Sequence, residues 1–157
     1  MALFRVCSRR AVLAVAILTG ARATGIELVG SRHDHAVGAL SRARADGCMA
    51  ADAASRVSFT RADATAAGVI PTDATHAFFS NLCYPEDVSV AIFGRLGEVA
   101  ALRCVLTLRT LPTASLAVLE AGLGCAMRRT EALLPMTWSD AISVYNYCCA
   151  RPVGVRP

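Results

Sequence analysis

Ala11-Val12-Leu13-Ala14-Val15-Ala16-Ile17-Leu18-Thr19-Gly20-Ala21-Arg22-Ala23-Thr24-Gly25-Ile26-Glu27-Leu28-Val29 is the stretch on which the fold turns, because it supports two incompatible readings. Behind the basic residues of Met1 to Arg10, the apolar run Ala11 to Leu18 followed by Ala21-Arg22-Ala23 outlines a secretory signal peptide. With arginines and no acid, it also resembles an organellar transit peptide. The rival reading is a helix from about Ser8 to Thr19, buried through Val12, Val15, Ala16 and Leu18 and closed by Gly20. Ala23 to Val29 would then be a strand whose lone carboxylate is Glu27. Helix running directly into strand is the signature of a doubly wound α/β domain.

The segments downstream favour the second reading. Ser31 and Asp34 have the spacing of a capping box, opening a helix with Ala36, Val37 and Leu40 that fades near Gly47. Val57 to Arg61 alternates apolar and polar residues as a strand does, with Asp63 just past its end. Ala77-Phe78-Phe79-Ser80-Asn81 reads as a buried strand. After Pro85, a helix carries Val88, Ile92, Leu96 and Val99 on one stripe, and Cys104 to Leu108 is a further strand. Beyond it the pattern is less regular, with strand-like pieces at Leu133 to Trp138 and Ser143 to Cys149. The alternation predicts a mostly parallel sheet with helices on both faces and a ligand site beyond the carboxyl ends of its strands. Glu27, Asp63, Ser80 and Asn81 should converge there.

The chain has 157 residues, of which 55% are hydrophobic and 18% charged, so it holds one domain with a core and is not disordered. No apolar run approaches the roughly 20 residues of a membrane-spanning helix. The net charge of +4 comes from Arg5, Arg9, Arg10 and Arg22, since 12 basic residues face 12 acids from Thr24 onward. That neutral body excludes a basic nucleic-acid surface. Every basic residue is arginine, which fits a coding bias better than a binding design.

Seven cysteines, Cys7, Cys48, Cys83, Cys104, Cys125, Cys148 and Cys149, are odd in number and never spaced Cys-x-x-Cys. They signal neither a zinc site nor a disulfide framework and read as small buried hydrophobes in a reducing compartment. Cys148 and Cys149, neighbours on a strand, face opposite ways and make no thiol pair. His33, His35 and His76 read as surface polar residues, because positions two apart do not share a helix face.

Gly25-Ile26-Glu27-Leu28, Arg61-Ala62-Asp63, Phe79-Ser80-Asn81-Leu82-Cys83-Tyr84, and Trp138 followed by Ser143-Val144-Tyr145 give the chain, from about Ala11 to Tyr147, a resemblance to the class I S-adenosylmethionine-dependent methyltransferases. It more closely resembles the disruptor-of-telomeric-silencing family, non-SET enzymes that methylate a lysine on the nucleosome's histone surface. The resemblance implies a Rossmann-like methyltransferase sheet and S-adenosylmethionine as cofactor. Glu27 is implied to hold the ribose hydroxyls, Asp63 to contact the adenine amino group, and Ser80 and Asn81 to contact the cofactor. Asn81, Tyr84 and Tyr145 are the implied catalytic residues, lining the channel that admits the substrate lysine. A histone or nucleosome would be the partner and the nucleus the compartment.

The chain departs from that pattern. Ala62 and Ala64 replace the family's glycine and aromatic beside the aspartate, and no glycine precedes Gly20, where a glycine-rich cofactor loop should fall. The first strand and that loop read as missing, so residues 1–157 read as one partial domain, with 1–22 as its first helix or, alternatively, a targeting peptide. Other expectations stand beside the methyltransferase: a non-catalytic Rossmann-like interaction module that has lost its cofactor, or an exported or organellar protein.

Overall fold

The computed structural model describes residues 2–6, 9–136 and 139–150. In chain order the elements are β1 (Ala2–Val6), α1 (Arg9–Thr19), β2 (Arg22–Glu27), α2 (Gly30–Ala45), α3 (Ala51–Ser55), β3 (Val57–Arg61), β4 (His76–Phe79), α4 (Glu86–Gly97), β5 (Cys104–Thr107), α5 (Thr113–Leu123), β6 (Met127–Met136) and β7 (Ser139–Cys149). The strands build one seven-stranded sheet in the order β3-β2-β1-β4-β5-β7-β6. The first five pair in parallel, β7 runs antiparallel to β5, and β6 antiparallel to β7.

The first strand, expected to be missing, is present as β1. It lies at the centre of the sheet, with Val6 opposite Ile26 on one side and Phe79 on the other. Five residues containing Arg5 and followed by Arg9 and Arg10 look like the basic head of a leader. Only pairing with two distant strands makes them a strand, and local pattern carries no trace of that. A targeting peptide ending at Ala23 would take both β1 and α1 out of the fold.

The helix reading of the opening stretch holds. Val12 and Ala16 are fully buried, whereas Leu18, expected inside, is exposed. Gly25 permits the close approach: a Cβ there would lie 2.6 Å from the Phe59 ring and 3.3 Å from Val12. The capping box does not form, because α2 starts at Gly30 after Val29, with no side-chain cap. Its first turn is anchored from the preceding strand instead, through Val29 N–H donating to the Glu27 carboxylate at 2.9 Å.

On the other face, Ile92, Phe93 and Leu96 of α4 pack on Phe79 of β4 and Val105 of β5. Helix α5, absent from the sequence reading, packs against α4 through a glycine contact, Gly97 on Gly122. Pro112 precedes it and Gly124, in the left-handed conformation, ends it. His76, expected at the surface, is half-buried at the start of β4, and burial lowers its pKa.

The cysteines also depart from expectation. Cys104 of β5 is bonded to Cys148 of β7, and Cys125 in the α5–β6 turn to Cys149. The two neighbours on β7 do face opposite ways, so each bonds a cysteine on its own side of the sheet. Spacing could not reveal this, since the partners are 44 and 24 residues away.

Candidate functional site

The chain doubles back between β1 and β4, which places a topological switch point at the centre of the sheet. Beside it, at the carboxyl ends of β2, β3 and β4, opens a cavity of about 660 Å³. Glu27, Leu28, Val29 and Arg32 form one wall; Ala62, Asp63 and Ala64 another; Ser80, Leu82, Cys83 and Tyr84 a third, with Val88 and Ile92 of α4 at its base.

Four residues expected in the site, Glu27, Asp63, Ser80 and Tyr84, are therefore brought together. Glu27 ends β2, and its hydrogen bond from Val29 N–H fixes the direction of the carboxylate. Asp63 is set by a tight turn in which one carboxylate oxygen accepts from both the backbone N–H and the hydroxyl of Thr65, each at 2.8 Å. The backbone bond chiefly, then the hydroxyl bond, hold its pKa below the ordinary carboxylate value, so it is anionic at neutral pH. Arg95 of α4 fastens this turn by donating to the Thr65 carbonyl at 2.9 Å. The Tyr84 ring leans on Phe79, with centroids 4.8 Å apart.

The two other expected residues lie elsewhere. Asn81 is buried, and its amide is committed to the loop after β5: Oδ1 accepts from Leu108 N–H at 3.0 Å and Arg109 N–H at 2.9 Å, while Nδ2 donates to the Arg109 carbonyl at 3.2 Å. It does not line the cavity, so its role is to tie the β4 end to the β5 end. Tyr145 sits on β7, opposite Thr107 and Glu131, with the Arg129 guanidinium 5.9 Å from its ring centre, and it does not line the cavity either. Trp138 lies outside the described residues.

Asn81→Ala is expected to destabilise the protein by about 2 kcal/mol, because two backbone N–H groups lose their acceptor at a buried site. Chemical denaturation measures this; a loss within experimental error of zero would show that the loop holds itself.

Sequence reasoning missed Leu28 and Val29, which flank the cavity, 62% and 44% exposed. Their signal was legible, since two large apolar residues directly beyond a strand's terminal acid have no core to enter. Tyr147 was also missed; its hydroxyl accepts from Leu111 N–H at 3.0 Å and fastens the same loop as Asn81.

No protein-family model matches the sequence, and no curated protein matches it. Solved structures do resemble it. The methyltransferase domain of bacterial CtHen1 superposes with a TM-score of 0.67 at 11% identity, over 96% of this chain and 89% of that one. The RNA methyltransferase from Salinibacter ruber, in complex with S-adenosyl-L-homocysteine, gives 0.58 at 19% identity over 99% and 86% of the two chains. The glycopeptide N-methyltransferase MtfA, also complexed with S-adenosylhomocysteine, gives 0.63 at 10% identity over 94% and 80%. The fold is the class I methyltransferase fold.

Within that fold, this chain lacks a glycine ahead of α1. Only Cys7 and Ser8, which lie outside the described residues, join β1 to α1.

Proposed function

We propose that this chain is a methyltransferase domain that binds S-adenosylmethionine in the cavity between the ends of β2, β3 and β4. The observation that carries the reading is the meeting of Glu27, Asp63 and Tyr84 at one cavity from three separate strand ends. The donor set fits the adenosine half of the cofactor. A carboxylate at Glu27 can accept from two vicinal hydroxyls, and Asp63, ionised and fixed by Thr65, can accept from an exocyclic amine. Leu28, Val29 and Ile92 supply apolar walls for a flat ring, and about 660 Å³ lies within the usual range for a small-molecule site.

The bound cofactor supplies an electrophilic methyl group on a sulfonium. What the protein adds is orientation: a neutral amine held in line with that methyl needs no covalent help. The acceptor we propose is a protein lysine, with a histone as the specific case, in the nucleus. Support for it is the resemblance in Ser80 to Tyr84, and of the three channel residues only Tyr84 stands at the cavity.

A specific observation favours a different compartment. Disulfides persist in oxidising environments, so the Cys104–Cys148 and Cys125–Cys149 bonds favour an oxidising compartment over the nucleus, though not with cleavage after Ala23, which would remove β1 and α1 from the sheet domain.

Calorimetric titration with S-adenosylhomocysteine tests the cofactor assignment. Glu27→Ala is expected to weaken binding about tenfold or more, the value of a charged hydrogen-bonded contact. No heat from the wild-type chain would favour instead the interaction module that has lost its cofactor. With binding in hand, transfer of radiolabelled methyl to free histones, nucleosomes and bulk RNA decides the acceptor.

A further inference from the structure

Among the described residues, strand β6 is the outer edge of the sheet, paired only with β7 on its inner side. Each residue from Arg128 to Leu134 is exposed, Leu133 to 69% and Leu134 to 45%. Strand β5 reaches only Tyr145 to Cys148 of β7, so the β6–β7 ribbon runs past it, and two strands alone are marginally stable in water. A ten-residue edge with two exposed leucines is a template for another strand.

We infer that β6 pairs antiparallel with the β6 strand of a second copy, forming a two-fold dimer with a continuous sheet centred on Thr130. Geometry and charge select this register. A two-fold axis normal to the sheet must pass through a residue, because opposed side chains share a face and a strand alternates faces. Centring on Arg128, Arg129 or Glu131 sets that residue's charge against its own copy, which is destabilising. Centring on Ala132 brings Pro135, which has no N–H, into the ladder opposite Arg129.

Centring on Thr130 places Arg129 opposite the other copy's Glu131, twice by symmetry, and the ladder stops short of Met127, whose N–H already donates to the Glu120 carboxylate at 2.7 Å. Pro135 then falls opposite Cys125, outside the strand. The charged pair is already oriented within each chain: Ser143 Oγ donates to Glu131 at 2.7 Å, and Arg129 lies against the Tyr145 ring. The contact is self-complementary and closes on itself, as a stable dimer requires.

Light scattering on the size-exclusion eluate of the full chain tests this, with circular dichroism to confirm that each variant is folded. The wild type should elute at twice 16.5 kDa. Glu131→Arg and, separately, Arg129→Glu should each raise the dimer dissociation constant about tenfold or more, and the charge-swapped double variant should restore it. A monomeric wild type at high micromolar concentration overturns the proposal. So does a dimer insensitive to either single change, or a double variant that stays monomeric while folded.

Discussion

Reduction of Cys104–Cys148 and Cys125–Cys149 should lower the midpoint of thermal unfolding by about 10 °C or more. The bridges close loops of 44 and 24 residues, and chain-entropy reasoning gives each about 3–4 kcal/mol. The loops overlap, so the joint effect is smaller than the sum. The paired substitution Cys104→Ala with Cys148→Ala isolates the first bridge and should account for about half of the loss. In the native oxidised protein, alkylation should label the exposed thiols of Cys48 and Cys83 and spare the four bridged residues. Labelling of all six under native, unreduced conditions would contradict the pairing outright.

Gly122→Ala is expected to cost about 2–3 kcal/mol, a fall of about 5–10 °C. Helix propensity alone gives the opposite sign, since alanine is favoured over glycine by about 1 kcal/mol inside a helix. Packing decides: a Cβ at Gly122 would stand 2.7 Å from the Gly97 backbone, and backbone cannot rotate away as a side chain can. Helices α4 and α5 would have to separate, loosening the layer that holds Phe93 and Leu119 at 0% exposure. Gly94→Ala serves as the internal contrast. It lies in α4 with nothing within 4 Å of its Cβ position, so propensity acts unopposed and the variant should gain about 0.5–1 kcal/mol. Equal shifts for the two variants would show that the helix contact is not tight.

The same distinction between local and distant information explains which parts of the fold were legible. Helices α1, α2 and α4 and strands β2 to β5 announce themselves through apolar periodicity within a dozen residues. The short strand β1 does not, because its identity depends on β2 and β4 flanking it, residues that follow it by some 20 and 70 positions. Helix α5 is rich in alanine and leucine on every side, which leaves no stripe to read. In the site, Glu27 and Asp63 could be read because acids at strand ends lie where such a sheet gathers a ligand site, although each also serves locally, Glu27 for the Val29 N–H and Asp63 for Thr65. Asn81 occupies the right place in the chain and the wrong place in space. Ser80 lines the cavity, whereas Asn81, in the turn after β4, commits its amide to the Leu108–Arg109 backbone. Tyr145 likewise follows the order of the motif, but β7 stands two strands from β4.

The opposite orientations of Cys148 and Cys149 tie β7 to the rest of the molecule from both faces of the sheet. Cys148 joins β7 to β5, and Cys149 joins it to the turn that leads into β6, so β7 is bonded toward both of its neighbours in the sheet. While both bridges are intact, the antiparallel end of the sheet cannot peel away from the parallel part.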